Sequence, residues 1–221
     1  MAQIEAELQL LKTEVVNMWT LVISQLTNAR LAFVNFDKDL AREVVAKEKR
    51  VNGTELKIDR DCENIFALFC PVAIDLRFLL AALKINSNLE RIGDIAEGIA
   101  KYIISADGPF TDGLLQVTRT LQMYEESVNL LEDTLTSFEK EDTILARSVF
   151  KKDEFLDNIN VASNKTIEKY LADHPEDLSQ SLWILSIIRK LERVGDQSKN
   201  IAEEIIFYLE AKVLKHKNKH S

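Results

Sequence analysis

Apolar residues recur at Ile4, Leu8, Leu11, Val15, Met18 and Val22, alternating between spacings of four and three. That rhythm keeps them on one stripe of a helix packed along a bundle seam. A second such series runs through Leu114, Val117, Leu121, Tyr124, Val128, Leu131, Leu135 and Phe138, and Leu8, Leu11, Val15, Met18 and Val22 map onto its members at a shift of 106. No stretch alternates with period two between turn signals, so no strand is predicted. The pattern predicts six long helices, over residues 3–35, 37–69, 71–105, 111–139, 141–172 and 176–214. Asp37 and Asp39, Pro71, Thr111 with Asp112, and Glu141 with Asp142 supply their N-terminal signals. Short connections make neighbours antiparallel. The expected fold is therefore all-α: two tandem three-helix bundles, residues 1–107 and 108–221, divided where Asp107, Gly108, Pro109 and Gly113 cluster.

A second repeat is sharper. Leu89-Glu90-Arg91-Ile92-Gly93-Asp94 returns as Leu191-Glu192-Arg193-Val194-Gly195-Asp196, 102 residues later. The match continues into Ile99-Ala100 against Ile201-Ala202, and upstream into Leu83 and Ile85 against Leu185 and Ile187. One unit has been built twice. In each copy the two carboxylates stand four residues apart, one above the other on a helix face. Gly93 and Gly195 interrupt these helices at equivalent places, each at a cost of about 1 kcal/mol relative to alanine. Close packing or a bound group would offset that cost.

Composition narrows the function classes. A formal net charge of −8 argues against nucleic acid as a partner, because phosphate neutralisation needs clustered Lys and Arg. Lys212, Lys215, Lys217 and Lys219 with His216 and His220 form one basic cluster, read as a solvated helix end where cations complement the helix dipole. Cys62 and Cys70 are too few for a disulfide framework and read as reduced core residues of an intracellular protein. The first thirty residues carry Glu5, Glu7, Lys12 and Glu14 in place of a secretory pattern. The uncharged stretch over residues 15–29 is too short and too polar to span a bilayer, so no membrane insertion is expected.

The second and fifth helices carry matching polar stripes: Glu48, Asn52, Glu55 and Asp59, and then Asp153, Asp157, Asn160 and Asn164. Folding the second and third helices back at Cys70-Pro71 brings Asn52 level with Glu90 and Glu48 level with Asp94, each to within about 1.5 Å of helical rise. Folding at His174-Pro175 pairs Asp157 with Glu192 and Asp153 with Asp196. Four oxygen-bearing side chains then converge in each unit. Glu90 and Asp94 stand four residues apart and Asp94 has Glu97 three residues on, with Arg91, three residues before Asp94, the one base within that reach; such like pairs repel, and a cation would relieve them. In the second unit Arg189 and Lys199 are placed to form ordinary salt bridges.

Carboxylate and amide donors without His or Cys suit magnesium, manganese, calcium or iron better than a structural zinc. No nucleophilic triad, phosphate loop or Glu-x-x-His pair is present. A metal-free helical adaptor with solvated acids is the rival reading, and a metal-dependent hydrolase a distant third, since nothing supplies a general base or phosphate clamp.

These residues resemble the PhoU family. The resemblance rests on the paired Glu-Arg-Ile/Val-Gly-Asp motifs, on Pro71-Val72-Ala73-Ile74-Asp75-Leu76-Arg77 before the first, on Val51-Asn52 and Asp59, and on Ile201-Ala202-Glu203 after the second. It spans essentially the whole chain. It implies a cytoplasmic signalling protein rather than an enzyme, coupling the phosphate ABC transporter, through its ATPase subunit, to a sensor histidine kinase and repressing the phosphate-starvation response. It also implies a homodimer, and metal clusters on Glu/Asp-x-x-x-Asp motifs. Residue by residue, those motifs are Glu90 with Asp94, Glu192 with Asp196, and Asp153 with Asp157; Glu48 with Asn52 departs from the pattern by a neutral amide.

Arg77 is read either as a salt-bridge partner of a neighbouring helix or as a contact to an anion or partner. Trp19, Phe66, Phe69, Phe78 and Trp183 read as core or seam residues.

Overall fold

The computed structural model describes residues 2–214. Its helices are α1 (Ala2–Asn35), α2 (Lys38–Phe69), α3 (Ala73–Ser105), α4 (Asp112–Thr118), α5 (Thr120–Lys140), α6 (Thr143–Asp173) and α7 (Leu178–Glu210), with a single 3-10 turn, Pro175–Asp177, before α7. No strand occurs among the described residues. The chain tightens at two aspartates: Asp37 accepts from the Asp39 and Leu40 amides to cap α2, and Asp142 accepts from the Ile144 and Leu145 amides to cap α6. Each satisfies donors that the first helical turn leaves without partners.

The helices α1 to α3 pack into one bundle and α5 to α7 into a second, with α4 lying on α5 and α6. The bundles meet through α3 against α7 and α1 against α5, so α2 and α6 take the outer flanks. An internal two-fold relates the halves. The α3–α7 contact between Asn88 and Asn200 is carried by the 102-residue shift onto the contact between Lys190 and Gly98. The α1–α5 seam is aromatic: Trp19 tilts against Phe138 with centroids 5.3 Å apart, and Phe33 stacks on Tyr124 at 6.1 Å. Trp19, Tyr124 and Phe138 are fully buried. Truncating any of them would cost several kcal/mol, about 3–5 in typical cores, which makes the two bundles one hydrophobic core.

Three expectations are corrected. The fourth predicted helix breaks in two at Arg119, whose backbone is left-handed (φ 56°). The Thr118 hydroxyl returns to the Leu114 carbonyl at 2.7 Å and contacts the Thr120 hydroxyl at the same distance; Thr-Arg-Thr thus offers the backbone an alternative to continuing the helix. The last helix ends at Glu210 rather than at 214, because Ala211 turns left-handed (φ 55°) with its amide on the Phe207 carbonyl. Cys62 is buried as expected, but Cys70 is exposed, at the left-handed end of α2.

In the basic C-terminal cluster, Lys212 pairs with Glu210 at 2.9 Å; Lys215, His216, Lys217, Lys219 and His220 lie outside the described residues. The aromatic expectations hold. Phe78 sits edge-on to Tyr208, Trp183 packs on Tyr102, and Phe66 and Phe69 pack against the core. Arg77 forms no salt bridge among the described residues: its Nε donates to the Tyr208 carbonyl at 3.3 Å, in the last turn of α7, where a cation complements the negative end of the helix dipole.

Candidate functional site

In the first unit, α2 and α3 meet in the register that their sequences imply. Glu48, 5% exposed, lies directly against Gly93. A methyl group there would stand 3.3 Å from both carboxylate oxygens and 3.0 Å from Val51 Cγ1. The glycine is what lets a carboxylate approach the α3 backbone, and neither Glu48 oxygen finds a hydrogen-bond partner. Burial, with Asp94, Glu97 and Glu90 adding repulsion, pushes its carboxyl up to about 7. The Gln25 amide beside it opposes the shift; the hydrogen bond that its Nε2 makes is to the Val44 carbonyl, at 2.9 Å.

The surrounding acids respond in the same way. Glu90 is raised by burial and then by Asp94 and Glu55, against an opposing Arg91; Glu55 is raised by burial, Asp59 and Asp94. Asp94 and Asn52 are exposed. Among the described residues none of Glu48, Glu90 and Asp94 forms an ion pair, whereas neighbouring Glu97 holds Lys101 at 2.6 Å.

The second unit has the same frame with a different electrostatic solution. Asp153 is 1% exposed and rests Oδ1 on Gly195, where any side chain would overlap it. Its Oδ2 receives Lys199 Nζ at 2.5 Å, and the same ammonium reaches Asp196 Oδ1 at 2.9 Å. Burial raises the Asp153 carboxyl to about 6, Lys199 opposes, and Asp157 and Asp196 add repulsion. Lys199 is itself desolvated, but its hydrogen bonds to Asp153 and Asp196 outweigh that and hold it above its ordinary range. Glu192 is raised by burial, Asp196 and Asp157. Arg189 makes no ion pair among the described residues, so of the two expected cations only Lys199 takes the place.

The structure therefore brings Glu48 to Glu90 and Asp94, and Asp153 to Asp157, Glu192 and Asp196, as electrostatic neighbours. As the side chains stand, no three His, Cys, Asp or Glu residues among those described surround a common point at ligand distance. The orphaned Glu48 carboxylate and the absence of a paired cation beside it nonetheless fit a hard, oxygen-seeking ion in the first unit.

Three contributors escaped the sequence reading. Gln25 reaches in from α1. Asn86 donates to the Glu55 carbonyl and to Asp59 Oδ1, both at 3.0 Å. Lys190 crosses from α7 over Gly98, its ammonium 5.5 Å from the Tyr102 ring centre. Gln25 and Asn86 were signalled by polar residues set within apolar helical stripes; Lys190 carried no local signal.

The pH response of the chelated protein follows from Glu48. The folded state keeps its proton up to about pH 7, while an unfolded glutamate releases it near 4.5. Between those values the folded state binds more protons, so stability falls as pH rises and levels off above 7. Glu48→Gln is expected to remove the Glu48 share of this fall, leaving that of Asp153, and to be more stable than the parent at pH 8 by about 1–3 kcal/mol, the two converging below pH 4.5. Urea unfolding in a chelator across this range checks it; parallel curves for the two proteins would refute it.

Two three-helix bundles on an internal two-fold, each setting a Glu-Arg-Ile/Val-Gly-Asp motif against a buried acid of its middle helix, define a class of tandem-repeat helical proteins with paired acidic centres. Sequence comparison identifies the family. The PhoU domain family matches at residues 15–103 and 120–205, and the chain belongs to the PhoU family.

Among curated relatives, the phosphate-specific transport system accessory protein PhoU of Edwardsiella tarda is 34% identical over 97% of this chain and 87% of its own. That of Escherichia coli K12 is 31% identical over 97% and 88%. The crystal structure of PhoU from Pseudomonas aeruginosa superposes with a TM-score of 0.87 at 30% identity, covering 94% of this chain and 99% of that one. Among the described residues no helix is long and apolar enough to cross a membrane.

Proposed function

We propose that this chain is a metal-binding regulator of phosphate uptake, which couples the phosphate ABC transporter to a sensor histidine kinase from the cytoplasmic side and represses the phosphate-starvation response. The names of its relatives support the transport setting. The observation that carries the metal reading is Glu48: a buried carboxylate with both oxygens unpartnered, ringed by acids and held against a glycine. Its candidate ligands are Glu48, Asn52, Glu90 and Asp94, and the counterpart set is Asp153, Asp157, Glu192 and Asp196. Iron, manganese or magnesium suits such donors, and the bound ion would supply positive charge that locks α2 to α3. The two units, residues 1–107 and 108–221, would then act as a homodimeric adaptor, not as a catalyst.

Affinity capture of the tagged chain from phosphate-replete cells is expected to recover the transporter ATPase subunit and a sensor kinase. Recovery of neither would sink the regulatory reading. Elemental analysis before and after mild chelation separates this proposal from the metal-free structural adaptor, which the Lys199 ion pairs favour in the second unit: an adaptor of that kind carries no metal in either state.

A further inference from the structure

The two acidic centres occupy equivalent positions in the repeat, yet their charge is balanced in different ways. In the second unit a lysine ammonium already stands where the carboxylates of α6 and α7 face each other, 2.5 Å from Asp153 and 2.9 Å from Asp196. The residue equivalent to Lys199 in the first unit is Glu97, which points its charge the other way and pairs with Lys101 on its own helix. Lys190, which crosses from α7, lies on Gly98 and the Tyr102 ring and makes no ion pair with Asp94 or Glu97, and Arg91 acts on Glu90 without pairing with it. The first centre thus holds an unpaired buried carboxylate, and the second has its own cation.

We infer that Lys199 is the resident cation of the second centre and confines metal binding to the first. The inference rests on the metal reading above and sharpens it. An ammonium and a metal ion cannot share Asp153 Oδ2 and Asp196 Oδ1, so an ion entering the second unit must displace Lys199 and break two ion pairs, one to an acid that is 1% exposed. Breaking a buried pair without replacement is strongly unfavourable, and even allowing for the partial exposure of Lys199 the site is weakened by about tenfold or more. Four carboxylates against three would otherwise make the second centre the stronger one. Lys199 reverses that order, and Asp153 is braced to α7 without any metal.

The test uses the full chain, freed of metal and then titrated with Mn²⁺, reading bound ion by equilibrium dialysis and the Mn²⁺-induced rise in unfolding temperature. Asp94→Asn is expected to lose both binding and the temperature rise. Asp94→Asn combined with Lys199→Gln is expected to regain Mn²⁺ binding, now in the second unit. Undiminished affinity at half the parent stoichiometry in Asp94→Asn would overturn the inference, because it would set an ion beside Lys199; this arm decides the matter even if Lys199→Gln fails to fold. Mn²⁺ binding by Lys199→Gln but not by the parent would overturn the metal reading of the first unit while sustaining the role of Lys199. No binding by any of these proteins would overturn both.

Discussion

Lys199→Met is expected to be the most damaging single change to the polar framework, lowering the unfolding free energy at pH 8 by about 2–4 kcal/mol. The reason is the company that Lys199 keeps. Asp153 is 1% exposed and one of its oxygens has no partner even in the parent protein, so removing the lysine strands a buried charge. The cost is expected to shrink towards pH 5. The Asp153 carboxyl already sits near 6 with Lys199 in place, and without that ammonium it rises further, so mild acid neutralises it. Below the folded value the proton does what the lysine did; above it, nothing does. Lys199→Met combined with Asp153→Asn is expected to recover most of the loss, since both charges then leave together. Urea unfolding of the single and double variants at pH 5 and pH 8 measures this cycle. A single-variant loss below about 0.5 kcal/mol at pH 8, the size of an ordinary surface change, would show that the pair contributes little.

Gly195→Ala is expected to destabilise the protein by about 1–3 kcal/mol even though alanine is the better helix former by about 1 kcal/mol. The added methyl overlaps Asp153 Oδ1 and stands 3.0 Å from Leu156 Cδ2, and Asp153 cannot retreat without leaving Lys199. Gly98→Ala makes an informative contrast. There the new methyl meets only the tip of the Lys190 side chain, a long chain that can swing towards solvent, so the propensity gain is expected to prevail and leave stability unchanged or higher. Gly93→Ala belongs between them, at 3.0 Å from Val51 Cγ1 and 3.3 Å from the Glu48 oxygens. Thermal unfolding of the three variants ranks them; equal effects at Gly195 and Gly98 would mean that the Asp153–Gly195 approach is not what constrains the second unit.

The amino-acid sequence by itself determined the helices, the duplication and the vertical register of the acids. Apolar spacing of three and four fixes which helix face turns inward, and a short connection at Cys70-Pro71 leaves the following helix little choice but to return antiparallel, so Glu48 was placed at the height of Asp94 by counting alone. The same logic set Asp153 level with Asp196, while the settling of each buried acid on the preceding glycine, Gly93 or Gly195, came from the packing. It even named Lys199, because Asp196 lies three residues away on the same helix.

Other features belong to the tertiary structure. That Lys199 also reaches across to Asp153, that Lys190 crosses to the first unit, that Gln25 approaches Glu48 and that Arg77 ends on the Tyr208 carbonyl all depend on how helices distant in sequence pack. The break at Arg119 was hidden because its apolar spacing continues through a kink made by threonine hydroxyls. Local periodicity decides height and face within one helix, whereas the partner of a buried charge is chosen by whichever side chain the packing of two bundles delivers to it.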